Sequence, residues 1–339
     1  MENKKTNVVS IQFSKEVEIP LFVDKVMSGN RYASYGDGND IPSFLYGLYE
    51  NSAILQSLIN GTADYVFGTE FKVDKMNKYD VRKIILDYLI FGGFCIQVYY
   101  AKGQISKLEW RDFIKCRKDI DETKVFYSNQ WGRYKSKAIE FPIWDPSVTE
   151  GTAMYYYKGN KTRGIYPIPI WSGALKSVII STEISNFHFH NILNGFNSNV
   201  IVNFNNGKPD SETQTIIEEQ FKETFCGTNN AGRFMMSFND DTEHAVTVER
   251  IPSDDFDQKY QSLSEFVRAD IFTAFRATPN LFGLPTETTG FSAQEYAEAF
   301  KLYNKTVVEP IQNEFKDVFN EMGISTLVTP FQINFDGNV

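Results

Sequence analysis

The sequence predicts an α+β protein made of more than one compact unit. Helical and strand-like patterns alternate between residues 51 and 157, which is typical of a mixed sheet with helices packed against it. Farther along, two long segments of helical period bracket a small insert, and a third long helical segment follows. A chain of 339 residues is long for one unit, so we expect two or three.

The first half predicts two helices followed by strands. Residues 51–67 carry apolar side chains at helical spacing and stop at Gly68, and residues 79–91 repeat the pattern before Gly92. The pair Lys102-Gly103 then separates two strand patterns, which predicts a β-hairpin. Further short strands are expected at residues 124–128, 138–144 and 152–157.

The second half predicts two long helices around a small α/β insert. Pro167 and Pro169 mark the change of pattern, and a helix spanning roughly 30 Å is expected over residues 173–193. The insert is predicted to contain a strand at 200–204, a helix from Ser211, and strands at 233–238 and 245–251.

From residue 258 the chain predicts a helix, a loop rich in Pro and Gly, and a second long helix. The first helix ends before Pro279, because the residue before a proline is pushed out of the α region. Ser292 and Glu295 form a capping box at the start of the second helix, which runs to Gly323. Its interior Pro310 removes a backbone donor at a cost of about 3 kcal/mol, so we expect a kink there.

Composition narrows the classes of function. The net charge of −9 argues against a general nucleic-acid binder, although it does not exclude a channel through which DNA slides. The three cysteines are unclustered, which indicates reduced thiols. The polar N-terminus carries no secretory signal, and no segment is apolar enough to span a membrane, so we expect a soluble protein.

Two short motifs resemble phosphate chemistry but lack its context. Residues 227–232 have phosphate-loop spacing, but Arg233 and Phe234 follow where Lys and Ser or Thr are needed. Residues 119–123 match the D-x-D-x-T of aspartyl-phosphate phosphatases, whose first Asp must end a buried strand. A charge run at residues 115–118, interpreted as solvated, precedes it here. Both motifs therefore predict turns.

The sequence does not indicate a catalytic or metal-binding site. His188 and His190 would point about 200° apart on a helix, so they cannot bind one metal ion together. Acidic pairs such as Asp240-Asp241 and Asp254-Asp255 keep a carboxylate-based hydrolase open as an alternative. We expect no enzymatic activity and no cofactor.

The order of elements resembles that of tailed-bacteriophage portal proteins, the head–tail connector rings between capsid and tail. The resemblance rests first on TPNLFGLP, TGFSAQEY and LYNKTVVEPIQNEF within residues 258–322. YPIPIWSGALKSVIISTEISNFHFHNILNGF resembles the first stem helix of that family, and FCGTNNAGRFMMSF resembles its clip segment. No single motif is highly specific, so the ordered succession over residues 165–322 carries the resemblance.

The resemblance implies a portal-like domain order with little or no crown. The implied ranges are a wing at 1–170, a stem helix at 171–196, a clip at 197–257, a second stem helix at 258–278, a tunnel loop at 279–291, a long kinked wing helix at 292–323 and a C-terminal tail at 324–339.

The same resemblance assigns candidate site residues. The tunnel loop would line the DNA channel with Leu284, Pro285, Thr286, Glu287, Thr288, Thr289 and Gly290. An ordinary helix–helix connection of about 2–8 residues is the alternative interpretation, and the greater length here favours a projecting loop. Lys208 and Arg233 are candidates to face DNA or a packaging motor. Phe266 and Phe272 lie on opposite flanks outside the main apolar stripe of their helix, so we expect them at ring interfaces and expect Phe272→Glu to leave the monomer folded.

The implied function is structural. A homo-oligomeric ring, a dodecamer in that family, would conduct double-stranded DNA during packaging and ejection and join head to tail. The implied partners are a terminase motor, the major capsid protein and a head–tail adaptor, with no membrane. The protein would be made in the host cytoplasm and lie at the capsid vertex of the virion. A monomeric head–tail adaptor is a further alternative.

Overall fold

The computed structural model describes residues 19–22, 24–25, 31–131, 138–159, 164–193, 200–204, 209–210, 212–217, 234–238, 256–283 and 293–331. These residues form helices and several small sheets, which confirms the predicted α+β class. The chain divides into two compact units. The first contains Met1–Gly47, Ala63–Pro169 and Ile311–Phe331, and the second contains Leu48–Thr62, Ile170–Pro310 and Gln332–Val339.

The elements are numbered in chain order. The α-helices are α1 (Ile41–Asn51), α2 (Ala53–Phe67), α3 (Lys78–Phe91), α4 (Leu175–Leu193), α5 (Phe256–Ala274), α6 (Ala293–Tyr303) and α7 (Glu309–Glu321). The strands are β1 (Asp24–Lys25), β2 (Ser34–Tyr35), β3 (Glu70–Val73), β4 (Phe94–Ala101), β5 (Gln104–Arg111), β6 (Cys116–Lys118), β7 (Lys124–Tyr127), β8 (Ile139–Pro142), β9 (Thr152–Tyr157), β10 (Val200–Phe204), β11 (Phe234–Phe238) and β12 (Thr326–Thr329). Within the described residues, no helix is long and apolar enough to cross a bilayer.

The first unit is built on an antiparallel sheet with the order β5-β4-β9. Lys102 and Gly103 join β4 to β5 with φ angles of 53° and 77°. Two consecutive left-handed residues match the twist of a tight hairpin, which confirms the predicted turn. A second sheet has the order β6-β7-β8.

Helix α7 packs on the β5-β4-β9 sheet through an aromatic cluster. Phe315 stacks on Phe94 of β4 at a centroid distance of 4.9 Å, and its ring meets that of Tyr88 of α3 at 5.5 Å. Glu314 accepts hydrogen bonds from the hydroxyls of Tyr88 at 2.7 Å and Tyr157 at 3.2 Å. These contacts pack α7 against the centre of the first unit and give the hydroxyls of Tyr88 and Tyr157 a shared acceptor.

Caps define the predicted ends of α2 and α3. The side chain of Asn77 accepts a hydrogen bond from the backbone of Tyr79 at the start of α3, and Gly92 ends the helix with a φ of 84°. Ser52 accepts similarly from the backbone of Leu55 at 3.3 Å, and Gly68 donates to the carbonyl of Asp64. Both stops at glycine are therefore confirmed.

The chain after Gly323 forms strand β12. It pairs antiparallel with β3, so that Thr326 lies opposite Val73 and Thr329 opposite Glu70. The sequence could not indicate this pairing, because the two strands are far apart along the chain.

The interpretation of residues 115–118 as a solvated charge run is wrong. Arg117 and Lys118 are only 1% and 2% exposed. The guanidinium of Arg117 donates to the carbonyls of Ile114 at 2.9 Å, Cys116 at 2.8 Å and Asn39 at 3.0 Å. Lys118 forms an ion pair with Glu122. These partners replace water, which allows both cations to be buried.

The motif that begins at Asp119 is a turn, as predicted, but its first residue is buried. The carboxylate of Asp119 accepts from the backbone of Thr123 and of Lys124, both at 2.9 Å, and from the Thr123 hydroxyl at 2.6 Å. All three bonds hold the turn between β6 and β7. The motif is structural in this fold.

In the second unit, β10 and β11 pair in parallel, with Val200 opposite Phe234. Parallel strands need a crossover connection, and residues 212–217 within that connection are helical. The predicted α/β order of the insert is confirmed to this extent. The strand predicted at 245–251 lies outside the described residues.

Candidate functional site

Helices α4 and α5, predicted as the two stem helices, run antiparallel in the second unit. The Ser177 hydroxyl of α4 donates to the Asp270 carboxylate of α5 at 2.8 Å. Ten residues later in α4, the ring of Phe187 stacks on that of Tyr260 at 4.9 Å. Because Tyr260 lies ten residues before Asp270, the contact between the helices extends over roughly 15 Å.

Burial changes along this helix pair. At the end formed by the start of α4 and the end of α5, Val178, Val267, Ile271 and Phe275 are all buried. At the opposite end, most of the side chains whose burial the structure describes, within residues 181–189 and 260–266, are exposed or half-buried. The pair is therefore anchored at one end by apolar contacts and presents its other end to solvent.

The exposed end carries large apolar side chains. Phe187 and Phe189 of α4, and Leu263 and Phe266 of α5, are exposed, with Phe266 at 63%. Leu263 and Phe266 are three residues apart, so they are neighbours on the surface of α5. Single exposed apolar residues are common, but several large apolar side chains exposed at one end of two paired helices favour an interaction surface.

The structure corrects the assignment of Phe272. Its side chain is only 4% exposed, and its ring meets that of Phe282 edge to face at 6.0 Å. Phe272 therefore packs inside its own unit, and the expectation that Phe272→Glu leaves the monomer folded is wrong. A charged group at this position would be buried without a partner. Of the two predicted interface residues, Phe266 and Phe272, only Phe266 is exposed.

The loop predicted to line the channel starts from a well-defined base. A 3₁₀ turn, Pro279–Phe282, follows α5, and Gly283 ends it with a φ of 77° while its N–H donates to the carbonyls of Pro279 and Asn280. Helix α6 begins at Ala293. The candidate residues Leu284, Pro285, Thr286, Glu287, Thr288, Thr289 and Gly290 lie outside the described residues, as do Lys208 and Arg233.

At this base, Phe282 packs against three elements. Its ring meets those of Phe272 and Tyr303 edge to face, at 6.0 and 5.9 Å. It also lies against Gly61 of α2, where an added Cβ would come within 2.6 Å of the ring. The adjacent Thr62 shares a buried hydrogen bond of 2.7 Å with the Tyr303 hydroxyl, and burial raises the pKa of Tyr303 to about 12.

Gly61 and Thr62 were not predicted as site residues. The available signal was weak: an isolated glycine within a helical pattern usually has a packing reason, but its partner cannot be read from the sequence. Phe282 lies more than two hundred residues away along the chain. Only the folded chain brings these residues together.

Pro310 lies at the start of α7, directly after a π-helical turn, Asn304–Val308. In this turn the N–H of Glu309 donates to the carbonyl five residues earlier. The proline ring would crowd the carbonyl of Thr306, one turn back, and a wider turn relieves that contact. Prolines and π turns are both places where helices kink, and the kink at Pro310 stays a prediction.

Several titratable side chains in the described part of the chain lie against aromatic rings. There, no group of three or more His, Cys, Asp or Glu side chains could hold a metal ion. His188 instead contacts aromatic rings, with Phe187 at 5.8 Å and Tyr260 at 5.9 Å. Burial raises the pKa of the Asp87 carboxyl well above its usual value, and the indole N–H of Trp110 binds that group at 2.7 Å. This carboxyl is enclosed in the core of the first unit.

Comparison with known proteins gives matches among solved structures. No protein-family model matches the sequence, and no curated protein matches it. The chain is similar to one in the neck of a native GTA particle computed with C12 symmetry, with a TM-score of 0.56, 13% identity, and coverage of 88% of this chain and 85% of that chain. It is also similar to one in the virion of a native gene transfer agent (GTA) particle, with a TM-score of 0.56, 15% identity, and coverage of 92% and 85%.

A third similar structure is a portal protein of the HK97 phage family from Corynebacterium diphtheriae. Here the TM-score is 0.50 at 13% identity, with 84% of this chain and 94% of that chain covered. The chain thus has the fold found in virion neck and portal proteins, and the portal resemblance predicted from the sequence is confirmed at the level of fold. Identities this low establish a shared fold and leave function to be argued from the site.

Proposed function

We propose that this chain is the subunit of a portal-type head–tail connector, a ring whose axial channel conducts double-stranded DNA. The fold shared with neck and portal structures supports this proposal. The similar neck structures were computed with C12 and C6 symmetry, in keeping with a cyclic assembly of many copies. We propose a dodecamer at the capsid vertex of the virion.

The observation that carries the proposal is the exposed apolar end of the antiparallel pair α4 and α5. A closed ring with head-to-tail contacts needs each subunit to present two different complementary surfaces. Exposed Phe187 and Phe189 on one helix, and Leu263 and Phe266 on the other, offer apolar area to a neighbouring copy. Burying one exposed Phe would contribute roughly 1.5–3 kcal/mol to each contact.

The loop after Gly283 would face DNA in this assembly. Its proposed contact residues are Leu284–Gly290, and Lys208 and Arg233 would face DNA or the packaging motor. A terminase motor, the major capsid protein and a head–tail adaptor are the proposed partners. A chain with a net charge of −9 would grip DNA weakly, and weak contact suits a channel through which DNA must move.

The proposed interface is tested by placing a charge on the exposed end of the helix pair α4 and α5. Phe266→Glu should prevent ring formation without unfolding the subunit, because a carboxylate cannot be desolvated at an apolar contact. Tyr79→Glu is a matched control, since Tyr79 is equally exposed, at 65% against 63%, but lies on α3 of the first unit. Tyr79→Glu should form rings, and Phe266→Glu should not. Rings with both variants would contradict an interface at Phe266.

The channel role is tested separately. Deletion of Glu287–Thr289 should leave rings intact and impair DNA packaging or retention. Normal packaging by that deletion variant would contradict the assignment of the loop. A protein that stays monomeric yet joins heads to tails would instead support a head–tail adaptor.

A further inference from the structure

The base of the loop contains a packed cluster that the sequence did not predict. It comprises Gly61 and Thr62 of α2, Phe272 of α5, Phe282 of the 3₁₀ turn and Tyr303 of α6. We call it the aromatic clamp. All five residues belong to the second unit, and Thr62, Phe272 and Tyr303 are buried.

The clamp has a central ring, that of Phe282. Phe272 and Tyr303 meet it edge to face with interplanar angles of 80° and 88°. Gly61 leaves it no space, because a Cβ there would lie 2.6 and 2.9 Å from two carbons of the Phe282 ring. Only a residue without a side chain allows this approach of the ring to α2. The position of Phe282 is thus set from three directions.

The clamp also controls where both ends of the loop lie. Gly283 directly follows Phe282, so the loop leaves the fold at the clamp. Tyr303 is the last residue of α6, whose first residue, Ala293, lies ten residues earlier. A rigid helix of this length places the far end of the loop roughly 15 Å from the clamp. The buried hydrogen bond between Thr62 and Tyr303 links the end of α6 to α2.

We propose that the aromatic clamp positions the loop of residues 284–292 and that Gly61 is the residue on which this positioning depends. The inference rests on the proposed channel function of that loop. Gly61 lies against the Phe282 ring and would act through it. It is a positioning residue rather than a contact residue for DNA.

The test compares two helix-interior glycines. Gly61→Ala adds a methyl group against the Phe282 ring, whereas Gly47→Ala in α1 meets no atom within 4 Å. Both changes add the same group and raise helix propensity equally. Hydrogen exchange, followed by mass spectrometry on assembled protein, should be at least tenfold faster in Gly61→Ala for peptides covering 276–283 and 293–303. Exchange in α3 should not change, and Gly47→Ala should match the unmodified protein.

A compensating variant keeps the test decisive if Gly61→Ala is simply less stable. Phe282→Leu shortens the side chain that meets the added methyl group, so exchange in Gly61→Ala combined with Phe282→Leu should be slower than in Gly61→Ala alone. Equal exchange in Gly61→Ala and Gly47→Ala would overturn the clamp. A failure of Phe282→Leu to compensate would also overturn it.

The outcomes separate the clamp from the proposed function. If deletion of Glu287–Thr289 leaves packaging normal, the channel role fails, while exchange still reports on the clamp. If the deletion impairs packaging but Gly61→Ala packages as well as Gly47→Ala, the loop functions without positioning by the clamp and this inference fails alone.

Discussion

The Ser177 hydroxyl of α4 donates to the Asp270 carboxylate of α5 across 2.8 Å. Ser177 is buried and Asp270 is exposed, so the bond lies at the surface of the packed end of the helix pair. Together with the stacking of Phe187 on Tyr260, it fixes how the two helices are aligned. This alignment determines which apolar side chains of the helix pair are exposed.

Ser177→Ala should lower the free energy of unfolding by about 0.5–1.5 kcal/mol, because the bond to Asp270 is lost while Asp270 can turn to water. Urea denaturation of the unassembled subunit measures this change in the free energy of unfolding. Ser185→Ala in the same helix is the control, since its hydroxyl only donates to the Ser181 carbonyl of that helix. Equal effects of the two substitutions would contradict a stabilising role for the bond between the helices.

Phe272→Glu should lower the free energy of unfolding by about 3 kcal/mol or more, because it removes a buried ring and buries a carboxylate without a partner. Phe266→Glu should change it by no more than about 0.5 kcal/mol, because Phe266 is exposed in the subunit. Thermal and urea unfolding of both variants measure the difference. Similar stabilities would show that Phe272 is not packed as described.

Gly68→Ala should destabilise the first unit more than Gly103→Ala does. Both glycines have left-handed φ angles, 64° and 77°, so an alanine costs about 1–2 kcal/mol at either position. Only at Gly68 would the added Cβ also lie 2.3 Å from a backbone atom, the carbonyl oxygen of Thr329. Urea midpoints of the two variants measure the additional cost. Equal midpoints would contradict the close approach of β12 to Gly68.

The stability of the first unit should depend on pH through Asp87. Burial raises the pKa of this carboxyl above its value of about 3.9 in the unfolded chain, so the folded protein binds the proton more tightly. Its contribution to stability is therefore complete below about pH 4 and is lost as the pH rises through the folded pKa. The Asn side chain in Asp87→Asn does not ionise, so this variant does not lose stability as the pH rises. Its free energy of unfolding relative to that of the unmodified protein should therefore increase with pH. A stability difference that stays constant from pH 4 to 8 would contradict the shift.

Local features were predictable from the sequence wherever neighbouring residues determine them. Lys102-Gly103 predicted the hairpin, and Gly68 and Gly92 predicted helix ends, because each needs only its own backbone conformation. Helix α1 was not predicted, since Pro42 and Gly47 interrupt its pattern. Proline is tolerated in the first turn, however, and packing of the apolar face compensates for the glycine.

Long-range partners were not predictable. The local sequence indicated a solvated Arg117, because its acceptor Asn39 is 78 residues away. It indicated an interface position for Phe272, because a helical pattern does not show that Phe282 of the following turn folds back onto this ring. The fold class and the order of elements follow from local patterns and from family resemblance, whereas burial at single positions depends on contacts that only the folded chain creates.

The most direct test of the central claim is the mass and shape of the purified full-length protein, measured by light scattering and negative-stain electron microscopy over a range of salt and protein concentrations. The subunit mass is 38.9 kDa. We predict closed rings with a central channel and a mass that is a whole multiple of this value, twelve for the proposed dodecamer. A monodisperse 38.9 kDa monomer under all conditions would contradict the account.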